Sequence, residues 1–176
     1  YLLPNLIGPE KACKVIIENP MAQNRQLKPA QVLDLGIADA MFAPADFLEE
    51  SLLWAAKVLT GDVTVDRPEL DRGAAWDETV AAVRAGLDAR LKGATPAPYR
   101  ALDLVALAKT ATRAEGFAAE DEALADLIMG NDLRAGLYSF DLVQKRAKRP
   151  VGAPDKKLAR PVTKVGVVGA GLMASQ

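Results

Sequence analysis

The chain has 176 residues, of which 50% are apolar and 5% aromatic, and its formal net charge is -1. This near-neutral charge provides no general field for nucleic acid or an anionic membrane, so neither is expected as a partner. The chain has no histidine, which excludes imidazole acid-base or metal chemistry within it. Cys13, its one cysteine, cannot form an internal disulfide and is expected to be a buried hydrophobe in a reducing, cytoplasmic setting.

Many alanines and few aromatic residues favour packed helices, so the predicted fold class is mainly α with short strands. No apolar stretch approaches the ~20 residues that a membrane span needs. We therefore predict a soluble protein without a membrane span.

In the first third of the chain, proline and glycine delimit two predicted helices. The first begins at Pro9 and ends at Asn19, before a proline, and the second begins at Pro29 and ends at Gly36. Residues 37–42 are predicted to form a short extended strand.

A longer helix is predicted to begin at Asp46, which with Glu49 resembles a capping box. Its apolar residues follow one another at helical spacing, which predicts a face that packs on the preceding helices. These residues are Leu48, Leu52, Ala55 and Leu59.

Residues 60–75 are rich in Gly, Asp, Pro and Arg and predict an exposed connection. Apolar residues from Trp76 to Leu91 then share one helical face before Gly93 ends the helix.

The proline-rich residues 95–98 separate this helix from two further amphipathic helices, predicted at 99–112 and 120–140. The composition then changes to Lys, Arg, Pro and Gly. Residues 145–160 are accordingly predicted to be a solvated linker.

The last residues resemble the start of a dinucleotide-binding domain. Residues 165–168 are predicted to be a buried strand, and the turn that follows has the spacing Gly169-x-Gly171-x-x-Ala174. Gly171 allows a pyrophosphate to approach, and the backbone amide of Met173 is expected to face it. The remainder of such a domain does not follow, so we interpret the chain as a piece of a longer enzyme.

Three blocks, in order, resemble the multifunctional alpha subunit of fatty-acid β-oxidation. Residues 1–8 and 30–39 resemble the second half of a crotonase core. Residues 95–98 and 120–141 resemble the helical extension between its catalytic parts, and 164–176 resemble the opening of its dehydrogenase.

The resemblance implies an enzyme that hydrates trans-2-enoyl-CoA and oxidises 3-hydroxyacyl-CoA with NAD, associated with a thiolase subunit. The implied catalytic residues, two glutamates and a histidine-glutamate pair, lie outside this chain. The implied regions are a partial crotonase core, a helical connector, a linker and a truncated Rossmann start. Their boundaries are 1–60, 61–144, 145–163 and 164–176.

Two groups of residues are candidates for binding. The resemblance implies that Asp141 lies beside the acyl-CoA substrate, although a surface pair with Lys145 is equally expected from their spacing. The glycine turn, with Gly169, Gly171, Met173 and Ala174, is the candidate NAD site. Other acidic residues are interpreted as helix caps or solvated helix faces, namely Glu10, Glu18, Glu49 and Glu50.

Two other functional classes stay open from the sequence. The chain is alternatively a helical docking or assembly module whose glycine turn is incidental. It is alternatively part of a single-activity NAD-dependent dehydrogenase with an unrelated helical front.

Overall fold

The computed structural model describes residues 1–147 and 152–166. Over these residues the structure is mainly helical, which confirms the predicted mainly α class, and it contains no β-strand. The predicted strand at 37–42 is wrong: the segment is irregular, and no neighbouring strand supplies the hydrogen bonds that a strand needs. In the predicted strand at 165–168, the first two residues are not in a strand, and 167–176 lie outside the described residues.

The chain divides into two compact units, Tyr1–Leu133 and Arg134–Gln176. The first unit begins with a short helix, α1, over Pro4–Ile7. The next helix, α2, begins at Pro9–Cys13, continues as a π-helical turn over Lys14–Glu18 and ends with Asn19–Met21.

The predicted end of α2 at Asn19, before Pro20, is wrong, because the helix runs to Met21. A proline in a helix has no N–H to donate, and its ring clashes with the carbonyl four residues before it. The π-helical turn directly before Pro20 has a wider hydrogen-bond spacing, which accommodates the ring.

The third helix, α3, covers Pro29–Asp34 and ends near Gly36, as predicted. Gly36 has φ +80°, a left-handed conformation that favours glycine at helix ends.

The fourth helix, α4, covers Phe47–Thr60, but the predicted capping box at its start is not formed. Asp46 has φ -110° and ψ 10°, outside the extended conformation typical of an N-cap, and its side chain makes no capping hydrogen bond. The predicted burial of this helix's apolar stripe is also wrong. Leu48, Leu52 and Leu59 are 71%, 63% and 88% exposed.

Three longer helices follow the irregular connection: α5 over Ala74–Leu91, α6 over Pro96–Leu107 and α7 over Arg113–Met129. The sequence predicted an exposed connection over residues 60–75, and residues 61–73 have no regular secondary structure. The predicted helix 99–112 is displaced, because Pro96 provides a favourable first position and Thr112 starts the next helix.

Thr112 forms the capping box that the sequence analysis missed. Its backbone N–H donates to Glu115 Oε2 at 2.8 Å, and the Glu115 N–H donates to Thr112 Oγ1 at 3.3 Å. The predicted helix 120–140 is therefore two helices, because α7 begins at Arg113 and the chain breaks at Gly130.

The core of the first unit lies where α2 meets α5 and α6. It consists of five buried side chains, and the exposed fraction of each is 4% or less. They are Cys13, Ile17, Leu87, Leu102 and Val105. The fully buried Trp76 lies at the start of α5, and its indole N–H donates to the Val105 carbonyl at 3.2 Å.

Arg72 holds the end of α6 against α1. Its Nη1 donates to the Lys109 carbonyl at 2.9 Å, and its Nη2 donates to Asn5 Oδ1 at 2.5 Å. Its guanidinium also lies 5.7 Å from the centre of the Trp76 ring. A cation beside carbonyls at a helix C-terminus is favourable. Arg72 therefore stabilises the contact of α1 with the end of α6 and the start of α5.

Tyr1 packs against α7. Its ring meets Phe117 edge to face at 5.9 Å between centroids. Gly116 lies directly under the Tyr1 side chain, where the absence of a Cβ permits the close approach.

The last helix, α8, covers Asn131–Asp141 and continues as a π-helical turn over Leu142–Ala147. A short 3-10 helix at Lys156–Leu158 is the remaining helix of the described residues in the second unit.

Candidate functional site

A cavity of about 380 Å3 lies between α1, α2, the end of α3, α4 and the connection that follows α4. This volume is within the range of small-molecule sites. Its walls combine the Trp54 ring and aliphatic side chains with five charged residues. The charged residues are Lys11, Asp34, Asp39, Asp66 and Arg67.

One wall of the cavity is fixed by Arg67. Its Nη2 lies 2.6 Å from the carboxylate oxygens of Asp39, and its Nη1 donates to the Gly36 carbonyl at 3.4 Å. The Asp39 side chain is 29% exposed and that of Arg67 37%, so solvent reaches the pair. The pair holds the irregular residues around Arg67 against the end of α3.

The cavity offers a ligand charged groups, hydrogen bonds and apolar contact. Arg67 and Asp39 satisfy each other, which leaves Lys11 and two further carboxylates for a polar ligand. Among the described residues no group of three or more His, Cys, Asp or Glu is arranged to hold a metal ion. The cavity therefore has the volume and the mixed lining of a binding site.

Cys13 lies in the core, as the sequence predicted, with 1% of its surface exposed. Burial, and secondarily the charge of Glu18, raise the pKa of its thiol to about 11. The reactive thiolate is therefore disfavoured near neutral pH, which argues against a nucleophilic role.

Asp141, the candidate substrate residue, ends α8. Its Oδ1 lies 2.9 Å from Lys145 Nζ, and its Oδ2 lies 4.0 Å from Arg146 Nε. The pairing with Lys145 is the surface arrangement that its spacing predicted. No acyl-CoA role follows from this geometry, and that role stays a prediction.

The candidate NAD residues Gly169, Gly171, Met173 and Ala174 lie outside the described residues. The glycine turn therefore stays a prediction.

Sequence reasoning missed the cavity because its defining pair is distant in sequence. Arg67 and Asp39 are separated by 28 positions, and neither belongs to a local motif. Trp54 was a weak signal, since it interrupts the polar face of α4 with a large ring that needs a partner surface.

No helix of the described residues is long and apolar enough to cross a membrane. Glu10, Glu18, Glu49 and Glu50, interpreted as solvated or capping residues, do not line the cavity described above.

Comparison with known proteins indicates a distant relationship. No protein-family profile matches the chain, and no solved structure matches it. The chain is similar to a fatty acid oxidation complex subunit alpha of Shewanella loihica (strain ATCC BAA-1088 / PV-4), with 25% identity over 180 aligned positions. The alignment covers 97% of this chain and 24% of the relative, so the chain spans about a quarter of that protein's length.

Proposed function

We propose that this chain works as part of a β-oxidation enzyme that hydrates trans-2-enoyl-CoA and oxidises 3-hydroxyacyl-CoA with NAD. The observation that carries the proposal is the alignment along 97% of the chain with a fatty acid oxidation complex subunit alpha. The order of the three sequence blocks, from 1–8 to 164–176, supports the same assignment.

In this proposal the chain contributes structure and binding rather than the complete chemistry. Residues 1–60 belong to a crotonase-like part, 61–144 to a helical connector, and 145–163 to a linker. The imidazole is supplied by other residues of the enzyme, because this chain has no histidine. The resemblance implies that the catalytic carboxylates also belong to other residues of the enzyme.

The proposed NAD site begins at the glycine turn. Gly169 permits the tight bend, Gly171 leaves room for the pyrophosphate, and Ala174 allows close helix packing. The Met173 amide donates toward the phosphate oxygens at the helix N-terminus. Asp141 is proposed to lie near bound acyl-CoA, and a thiolase subunit is the proposed partner in a cytoplasmic assembly.

The test uses the complete enzyme that contains this chain. Gly171→Val is expected to abolish NAD binding and dehydrogenation and to leave hydration of crotonyl-CoA largely intact, because a branched side chain occupies the pyrophosphate position. Gly136→Val is the matched control, since nothing lies within 4 Å of a Cβ at that helical position. Unchanged NAD affinity in Gly171→Val would reject the cofactor assignment.

The same assays separate the other functional classes. A complete protein that reduces NAD but does not hydrate crotonyl-CoA would support the single-activity dehydrogenase. The assembly module is favoured by the exposed stripe of α4, and sedimentation of the wild type against Leu52→Ser tests it. An assembly dissociated by this substitution, with neither activity present, would support the docking module.

A further inference from the structure

The charged side chains that line the cavity of the first unit do not all satisfy one another. Arg67 and Asp39 form an ion pair, whereas Lys11, Asp34 and Asp66 form none within the described residues. One ammonium group therefore stands against two carboxylates, and the free charge of the lining is negative. Such a lining favours a cationic ligand over an anionic one.

The unit around the cavity strengthens this preference. Residues 1–133 contain 13 basic and 21 acidic residues, a net charge of -8. A negative field of this kind raises the local concentration of cations and repels anions. The lining and its surroundings thus select the same sign of charge.

Trp54 gives the cavity an aromatic wall. Its side chain is half-buried on α4 and lines the cavity together with aliphatic residues, among them Leu33 and Val65. The face of an indole ring attracts a cation that lies within about 6 Å of its centre, and its surface favours an apolar group. A ligand with both a positive charge and an apolar body uses every part of this lining.

We infer that the cavity binds a small organic ammonium compound, with its apolar body against Trp54 and its ammonium group paired with Asp34 and Asp66. An ammonium group has three N–H donors, and these carboxylates and the Thr64 hydroxyl of the lining supply acceptors. The volume of about 380 Å3 fits a small molecule. This ligand is additional to the acyl-CoA and NAD of the proposed function, and no residue assigned to either of them takes part.

The lining favours an organic cation over a metal ion. Within the part of the chain that the structure describes, no group of three or more His, Cys, Asp or Glu is arranged to hold a metal. Hard divalent cations require a set of several oxygen ligands, whereas an ammonium group on an apolar body also gains from contact with the ring and the aliphatic wall.

The test titrates the complete chain with 2-phenylethylammonium and follows tryptophan fluorescence. Trp76, the other tryptophan, is fully buried in the core, so the response is expected from Trp54. Neutral 2-phenylethanol and anionic 3-phenylpropionate have a similar apolar body and isolate the effect of charge. The ammonium compound should bind roughly fivefold or more tightly than the alcohol, since ion pairs that solvent reaches contribute up to about that factor each. The carboxylate should bind more weakly than either.

Substitutions in the lining should act in opposite directions. Asp34→Asn and Asp66→Asn are each expected to weaken binding of 2-phenylethylammonium roughly two- to fivefold, and Lys11→Gln to strengthen it by a similar factor, because the first two remove an attractive charge and the third a repulsive one. The matched control is Glu69→Gln, which removes an exposed carboxylate from the same connection but outside the lining. It should leave the affinity unchanged.

Trp54→Phe locates the ligand. This variant keeps an aromatic face but should lose the fluorescence response, while saturation-transfer NMR of the ligand should still detect binding. Far-ultraviolet circular dichroism verifies that each variant keeps its helices.

Several results would overturn the inference. Absence of binding at millimolar 2-phenylethylammonium would remove the site, and equal binding of 2-phenylethanol would remove its charge selectivity. Tighter binding of 3-phenylpropionate would assign the cavity to an anion. A response that persists in Trp54→Phe would place the ligand elsewhere, and an equal loss in Glu69→Gln would reduce the effect to the general field of the unit. None of these measurements involves NAD or hydration, so their failure is distinct from failure of the proposed function.

Discussion

Gly116→Ala should destabilise the protein, although alanine normally favours a helix over glycine. A Cβ at this position would lie 2.7 Å from Tyr1 Cγ, 2.9 Å from Tyr1 Cβ and closer still to Tyr1 Cδ2. These are atoms near the base of the side chain, so rotation of its far end does not relieve the overlap. Overpacking of this kind typically costs about 1–3 kcal/mol.

The opposing term is helix propensity, which favours alanine by about 1 kcal/mol at an interior position. Gly86→Ala measures this term separately, because Gly86 is exposed within α5 and nothing lies within 4 Å of its Cβ position. The difference in the free energy of unfolding between the two variants therefore isolates the steric cost. We expect Gly86→Ala to be more stable than Gly116→Ala by about 1–3 kcal/mol.

Urea denaturation followed by far-ultraviolet circular dichroism measures both variants against the wild type. A Tyr1→Ala background should remove most of the cost of Gly116→Ala, since it deletes the two ring atoms that overlap. If Gly116→Ala instead stabilises the protein as much as Gly86→Ala, the packing of Tyr1 on α7 is incorrect.

Three further predictions concern the core, a cap and a surface. The raised pKa of Cys13 means that its contribution to stability is complete below the unfolded thiol's pKa of 9.0 and falls by about 2 kcal/mol as pH rises toward 11. Urea denaturation at several pH values should show this fall in the free energy of unfolding in the wild type and not in Cys13→Ala. An equal dependence on pH in both proteins would contradict the burial of Cys13. Thr112→Ala should cost about 1 kcal/mol near neutral pH by removing the cap of α7. The pKa of Glu115 is lowered mainly by the Thr112 backbone N–H, which the variant keeps, and secondly by the Thr112 hydroxyl, which it loses, so the deficit should narrow slightly in acid as Glu115 becomes protonated. Thermal unfolding measures the stability difference between the wild type and Thr112→Ala. A difference that stays constant from neutral to acidic pH would show that the cap does not depend on the Glu115 carboxylate. Leu52→Ala should change the free energy of unfolding by less than about 0.5 kcal/mol because the side chain is 63% exposed, whereas the fully buried Leu102→Ala should cost roughly 2–5 kcal/mol. Equal losses in urea would place α4 in a packed interface.

The sequence was most informative where local chemistry alone decides the structure. Pro29 and Gly36 delimit α3 because proline suits a first helical turn and glycine accepts φ +80°. The apolar spacing of α5 likewise identified Trp76 and Leu87, which are buried.

Local motifs were misleading where the backbone around them differs. Asp46 with Glu49 and Thr112 with Glu115 have the same spacing, but only Thr112 has the extended conformation that turns its side chain toward the helix amides. A spacing pattern does not specify that conformation.

Burial depends on a partner surface, and an apolar stripe does not reveal whether a partner is present. Leu52 has the spacing of a core residue and is exposed. The cavity was unpredictable for a related reason, since the contact of Arg67 with Asp39 depends on the tertiary path of the intervening residues.

The position of α2 in the core has a consequence for the order of folding. α5 and α6 are neighbours in sequence and meet directly, so their contacts close only a short loop. Cys13 and Ile17 must reach Leu87 and Leu102 across about 70 or more residues, which carries a larger loop-closure entropy. We therefore expect the helical hairpin of α5 and α6 to form before α2 docks onto it.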